Sequence, residues 1–383
     1  MKNIIERAMA QAAKDLWRKY PVLTITGPRQ SGKTTLAREL FPSAEYVNLE
    51  IPDVRDQAMR DARSFIERHP APVVFDEIQR VPMLLSYIQA KVDETQNTSC
   101  YVLTGSHQPS LQAAIAQSLA GRTGILELLP LSIAELTAAN KKTERDHLIF
   151  NGFMPRLYSS GLDASHLYSD YFKTYIERDL RQLANLRHIR QFELFIRLLA
   201  GRVAQVLNVD SLANDTGVSS GTIREWLSLL EASYIIKLLP PYYRNFGKRF
   251  IKSPKIYFVE TGLVSYLLGI KEIKQVAIHP LIGNLFENMV IMDAFKKRLN
   301  AGNDGDLYFM RTNHGVEVDL VEEVNGKLDL YEIKAGATFH DEMARNLRII
   351  ENSLKGEIGR KTVVYAGTNT IVNEVEYLNY AEL

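Results

Sequence analysis

Short, largely apolar runs alternate with charged stretches through the first third of the chain, at 22–25, 45–49, 73–75, 100–103 and 125–128. Runs this short, apolar on both faces, predict buried strands of a parallel sheet, and the charged stretches between them predict covering helices. Past residue 150 the rhythm changes. From 150 to 199 apolar residues recur at three- and four-residue spacing, as in Tyr171-Phe172-Lys173-Thr174-Tyr175-Ile176, which predicts helix. Within 211–227 a helix would end at Gly217 and Ser219 would cap the next, whose inner face carries Ile223, Trp226, Leu227 and Leu230. That is a helix-turn-helix pattern. Strands at 234–239 and 255–259 would flank a wing. In the last third, 316–321 and 328–334 alternate about Asn325-Gly326, a strong hairpin signal. The expected class is α/β, divided as a nucleotide-binding domain over 1–140, a helical lid or linker over 141–200, a winged helix over 201–275 and a second α/β domain over 276–383.

A length of 383 residues allows two or three domains at roughly 150 residues each. The 46% apolar and 24% charged composition is that of an ordinary globular protein. No apolar run reaches the roughly 18 residues of a membrane helix, and Glu6, Arg7, Lys14, Asp15 and Arg18 interrupt the start of the chain, so a cytoplasmic location is expected. A single cysteine, Cys100, excludes an intramolecular disulfide framework and reads as a small core residue. A net charge of +1 leaves any basic surface local.

The sharpest chemistry lies after the first strand. Gly27-Pro28-Arg29-Gln30-Ser31-Gly32-Lys33-Thr34, followed by Thr35, matches G-x-x-x-x-G-K-[ST] between a strand and a helix. Its backbone N–H groups would cradle phosphates at the helix N-terminus, Lys33 would reach the β- and γ-phosphates, and Thr34 would ligate Mg²⁺. The strand at 73–75 ends in Asp76-Glu77. There Asp76 would hold Mg²⁺ through water and Glu77 would orient the attacking water. The next strand ends in Thr104-Gly105-Ser106, where Ser106, or less favourably Gln108, would sense the γ-phosphate. Arg122 is placed to stabilise transition-state charge, in the same subunit or from a neighbour; the alternative is a salt-bridged surface residue.

These strings carry a resemblance. GPRQSGKTTL, VVFDEIQRVP, LTGSHQ and SLAGRTGILELLPLSIAEL, within 20–136, resemble the AAA+ ATPase module of a prokaryotic family whose members end in the domain of unknown function numbered 4143. The resemblance implies ATP and Mg²⁺ as cofactors, a P-loop AAA+ sheet, assembly of copies through that domain, and the roles above for Lys33, Thr34, Asp76, Glu77 and Arg122. His107 departs from the family's usual small polar residue. YIERDL resembles the family's linker; helix packing suffices to explain this stretch, although Arg178 and Arg181 could face a neighbour's nucleotide.

Between 240 and 253 Arg244, Lys248, Arg249 and Lys252 are interleaved with Tyr242, Tyr243, Phe246 and Phe250, without an acid. Such a stretch would neutralise phosphates, making DNA the expected partner, although Glu225 on the second helix of the turn opposes that reading. Counting back from a two-residue turn at Asn325-Gly326 sets Asp319 opposite Glu332 and Glu317 opposite Lys334. Cross-strand carboxylates about 4.5–5.5 Å apart repel unless a cation separates them. The pattern is similar to PD-(D/E)XK nucleases, a restriction-endonuclease-like fold. That similarity implies Asp319, Glu332 and the helical Glu287 as Mg²⁺ ligands and Lys334 as the residue that orients water. Three outcomes stay open: an active nuclease, an inactive nuclease fold retained for binding, and an ordinary solvated hairpin. The functional expectation is an ATP-hydrolysing, DNA-processing protein; the alternative is an ATP-driven switch or scaffold whose C-terminal domains bind protein partners.

Overall fold

The computed structural model describes residues 4–106, 109–174, 189–242, 252–354 and 356–383. His107, Gln108, Arg178, Arg181, Tyr243, Arg244, Phe246, Lys248, Arg249 and Phe250 lie outside the described residues. The apolar runs of the first third become β1 (Val22–Gly27), β2 (Glu45–Asn48), β3 (Val73–Asp76), β4 (Tyr101–Ser106) and β5 (Thr123–Glu127). They form one parallel sheet in the order β2-β3-β4-β1-β5. Every residue of β1, β3 and β4 is buried, as a central strand covered on both faces requires. Successive side chains divide between two cores: Val22, Phe75 and Leu103 on one face, Leu23, Ile25, Val74 and Val102 on the other. The strand order sets Gly27 beside Ser106 and Phe75 beside Leu103. Residues 27, 76 and 106, far apart in the chain, therefore emerge along one carboxyl edge.

Helical residues follow. Ser132 and Glu135 form a reciprocal cap on the helix Ile133–Ala138. The short helix Pro155–Ser160 returns toward the first sheet's carboxyl edge. The helix-turn-helix pattern is present: Val209–Thr216 ends at Gly217 with φ 70°, and Ser219 accepts the Thr222 N–H to start Ser220–Ala232. β6 (Ile236–Leu239) and β7 (Lys255–Phe258) pair antiparallel.

The chain closes with the long helix Ile282–Asn300 and a sheet of β8 (Tyr308–Arg311), β9 (Glu317–Val324), β10 (Lys327–Lys334), β11 (Ile358–Tyr365), β12 (Thr370–Val372) and β13 (Val375–Asn379), ordered β12-β13-β11-β10-β9-β8. One buried cluster runs from Leu199 and Trp226 through Ile256, Phe286 and Met289 to Ile333, so these parts share a core.

The β9–β10 hairpin follows the counted register from Val324–Lys327 to Leu320–Tyr331. Asn325 and Gly326 both have positive φ, 53° and 76°, as a type I′ turn demands. Beyond that point the count fails as backbone pairing, because Asp319 and Glu317 do not continue the ladder with Glu332 and Lys334. The Asp319 carboxylate accepts the Ile333 N–H at 2.8 Å, while β11 holds β10 from the other side as far as Lys334. A side chain has replaced the ladder at the place where the acidic residues gather.

Gly27 has φ 146°, and a Cβ there would lie 2.2 Å from the Leu128 carbonyl oxygen. Gly27→Ala is therefore expected to destabilise the fold by about 2–4 kcal/mol through strain and overlap, read as a lower thermal midpoint. Gly283→Ala, where a Cβ meets nothing within 4 Å, should stay within about 0.5 kcal/mol of the parent.

Candidate functional site

The turn from β1 into the helix Lys33–Leu40 closes through Gly32, φ 97°. It buries Lys33, whose Nζ donates to the carbonyl oxygens of Gly27 (3.1 Å) and Pro28 (2.8 Å). Burial lowers the Lys33 pKa to about 8, against the opposing pull of Glu77 and Asp76. The hydroxyl of Ser31 is buried without a hydrogen-bond partner among the described residues. Asp76 is held by three hydroxyls: Thr34 donates at 3.1 and 3.0 Å, Tyr46 at 2.6 Å, and Thr104 also donates to it. Glu77 follows in the left-handed conformation, φ 59°, and accepts from Gln79. Burial raises the Glu77 pKa, while Lys33 opposes that rise.

A cleft of about 480 Å³ opens over these groups. Arg29, Gln30, Gly32, Lys33, Thr34, Thr35, Glu77 and Ser106 line its floor; Pro155, Arg156, Tyr171 and Thr174 of the helical region line its other wall. Thr34 and Asp76 already converge, and the Ser31 hydroxyl is unsatisfied, so the residues fit a metal-bound polyphosphate.

Four contributors were missed by sequence reasoning. Tyr46 and Thr104 orient Asp76; the polar end of β4 was a visible signal for Thr104. Arg156 faces the cleft with no ionic or hydrogen-bonding partner for its guanidinium among the described residues. Arg7 is buried and donates to the Ser31 carbonyl at 2.6 Å, the Leu129 carbonyl at 2.7 Å and Glu135 at 2.9 Å.

Arg122 corrects an expectation. It immediately precedes β5, whose first residue pairs with Val22 at the start of β1, so it stands at the opposite edge of the sheet from its own phosphate loop. Five strand residues at about 3.3 Å each separate the two edges. There Arg122 makes a two-pronged pair with Asp93, at 2.6 and 2.8 Å, and catalysis on its own nucleotide is excluded by distance.

The second constellation also differs from expectation. The oxygens of Glu287, Glu317 and Asp319 lie within 4.8 Å of one another. Lys255, from β7, donates to Glu287 and to Glu317 at 2.6 Å, and stands 3.7 Å from Asp319. Burial pushes the Lys255 pKa down, but Glu287, Tyr257, Asp319 and Glu317 outweigh it and hold the ammonium well above its ordinary value. Glu287 is thus committed to Lys255 and Tyr257, the latter donating at 2.6 Å, instead of completing a shell with Glu332. Glu332 pairs with Lys334 at 2.5 Å and accepts from Asn346 at 3.2 Å. Its other oxygen is buried and has no partner among the described residues, and burial with the nearby Asp319 charge raises its pKa.

The uncharacterized protein Rv2008c of Mycobacterium tuberculosis is 31% identical over 368 residues, covering 95% of this chain and 81% of the relative. Family models match the AAA domain at 19–137, a domain of unknown function (DUF8612) at 142–274 and the domain of unknown function DUF4143 at 282–382. The chain belongs to this family of AAA-domain proteins with a C-terminal DUF4143 domain. A more distant relative is the uncharacterized protein MJ1544 of Methanocaldococcus jannaschii, 22% identical over 87% of this chain and 81% of its own length. Among solved structures, the Walker-type ATPase of Pyrococcus abyssi superposes with a TM-score of 0.43 at 15% identity, over 69% of this chain and 96% of its own. AMPPCP-bound DnaA from Aquifex aeolicus gives 0.30 at 14%, over 58% and 85%. Both likenesses are too distant to carry an argument about function. The family's AAA-type ATPase domain coincides with the first sheet and its cleft. No described helix is long and apolar enough to cross a membrane.

The lowered Lys33 pKa has a sign that can be checked. Below pH 8 the free protein already carries the ammonium that a polyphosphate needs; above it, binding must take up a proton. Nucleotide affinity should therefore be level below pH 8 and fall above it toward about tenfold per pH unit. Calorimetry in buffers of different ionisation enthalpy should register proton uptake near pH 9, and Lys33→Met should remove it.

Proposed function

We propose that this protein hydrolyses ATP in its AAA domain and uses the cycle to reposition its helix-turn-helix and C-terminal domains on DNA. The observation that carries the ATPase reading is the convergence of Lys33, Thr34, Asp76, Glu77 and Ser106 beneath one cleft walled by Arg156. On binding, Lys33 would exchange the Gly27 and Pro28 carbonyls for phosphate oxygens, and the Ser31 hydroxyl would gain an acceptor. Thr34 and Asp76 would hold Mg²⁺, which when bound neutralises charge on the phosphates. Tyr46 and Thr104 keep the Asp76 carboxylate aimed. Glu77 would orient the attacking water and take its proton as the new oxygen–phosphorus bond forms and the bond to the leaving diphosphate breaks. Arg156 would bring a cation to the same space, and Ser106 would contact the transferred group.

DNA as the ligand of the remaining domains is supported by the capped helix-turn-helix and by a cleft of about 690 Å³, to which its second helix contributes Arg224 and the C-terminal sheet Arg311. A second reading, metal-dependent phosphodiester hydrolysis, is favoured by the orphaned Glu332 oxygen. Asp319 and Glu332 would hold the divalent cation, which would activate water and polarise the phosphoryl oxygen; Lys334 would orient that water. Arg122, unable to serve its own nucleotide, remains available to a neighbouring copy's site in a homo-oligomer.

Steady-state turnover tests the first reading. Lys33→Ala should weaken nucleotide binding more than about tenfold, whereas Glu77→Gln should bind normally and turn over about 10²–10⁴-fold more slowly. DNA should stimulate wild-type turnover, with the effect declining steeply as salt rises; no stimulation by any DNA form would favour protein partners. If Arg122 acts between copies, mixing inactive Lys33→Ala and Arg122→Ala chains should restore turnover. Full activity of Arg122→Ala alone would assign Arg122 to its Asp93 pair only.

A further inference from the structure

Lys255 belongs to β7, beside the helix-turn-helix, yet its side chain is spent in the C-terminal domain. It is 2% exposed and meets Glu287 of the long helix and Glu317 and Asp319 of β9. Backbone pairing fixes its origin: Lys255 pairs with Leu239 on β6 and bridges to Val206. Two residues along the same strand, Tyr257 also donates to Glu287.

A buried ammonium needs a partner, because taking an unpaired charge out of water is strongly unfavourable. One carboxylate would meet that need; here three surround a single Nζ, at a mutual spacing suited to a divalent cation. Around this point four carboxylates, Glu287, Glu317, Asp319 and Glu332, face Lys255, Lys334 and Arg311, the last 3.2 Å from Glu317. Among the described residues the cations here number one fewer than the carboxylates, and the unmatched oxygen is the buried one of Glu332.

We infer that Lys255 is a resident cation standing in for a divalent metal in this acidic cluster, a latch that keeps the cluster metal-free while its ammonium is in place. The inference rests on the cation-binding reading of Asp319 and Glu332 given above. Its consequence is that loss of the ammonium opens a cation site, and substitution of Lys255 removes the ammonium directly.

The test is a Mn²⁺ titration followed by electron paramagnetic resonance and by thermal melts, on nucleotide-free full-length protein carrying Thr34→Ala to disable the first metal site. That parent should bind no Mn²⁺ that Asp319→Asn can abolish. Lys255→Met should gain a single Mn²⁺ per chain, with a rise in melting temperature that the parent lacks, and Lys255→Met/Asp319→Asn should lose both. Parent protein that binds Mn²⁺ through Asp319 overturns the latch and leaves the cation-binding reading standing. Absence of binding in both parent and Lys255→Met overturns the cation-binding reading as well. If Lys255→Met folds poorly, folding restored by Mn²⁺ supports the inference, and folding indifferent to Mn²⁺ counts against it.

Discussion

The structure depends on where it places the buried guanidinium of Arg7. Three partners in three segments bind it: the Ser31 carbonyl in the phosphate loop, the Leu129 carbonyl beyond β5, and the Glu135 carboxylate. Glu135 in turn caps its own helix through the Ser132 N–H. Asp293 of the long helix accepts the Ile133 N–H at 2.7 Å, and Lys296 donates to the Leu131 carbonyl at 2.8 Å. Each group is buried and would be costly alone, so they stand or fall together. The result is a continuous polar path from the phosphate loop to the helix that carries Glu287 near its other end.

Features governed by local rules were legible in the sequence. The phosphate loop has its residues in register with a strand and a helix, and the five strands of the first sheet announce themselves as short apolar runs. The helix-turn-helix follows from Gly217 and Ser219, and the I′ turn at Asn325-Gly326 predicts five cross-strand pairs correctly. What was not legible is long-range charge pairing. Arg7 and Lys255 look like ordinary solvated cations on amphipathic segments, and their carboxylates lie 128 and between 32 and 64 residues away. The same-subunit role for Arg122 failed for a related reason: proximity to a glycine and a strand says nothing about which edge of the sheet that strand enters from. The hairpin count failed at Asp319 because a side chain, with no period of its own, took the ladder's hydrogen bond.

The two sites are electrostatic opposites, and this decides how each responds to a ligand. In the nucleotide cleft Lys33 is held by neutral carbonyls, so an arriving polyphosphate offers stronger, charge-assisted acceptors. In the acidic cluster the cation is already matched by carboxylates, and an arriving metal must displace an ammonium fixed to a strand. The first exchange is downhill from local contacts; the second requires the Lys255 ammonium to leave three carboxylates.

A ligand in the cleft can bias that departure only through contacts that differ between the two arrangements. The Ser31–Arg7 bond supplies one such contact, since a phosphate bound to the loop competes for the geometry of the same turn. Displacing Arg7 would strain Glu135, and through the Ile133 and Leu131 contacts it would reach Asp293 and Lys296. The continuous helix Ile282–Asn300, which carries Glu287, would pass that displacement toward the acidic cluster. Moving Glu287 weakens the hold on both Lys255 and Tyr257. The phosphate loop and the acidic cluster thus meet at opposite ends of one helix, the polar path acting on its later turns and the latch on its first two.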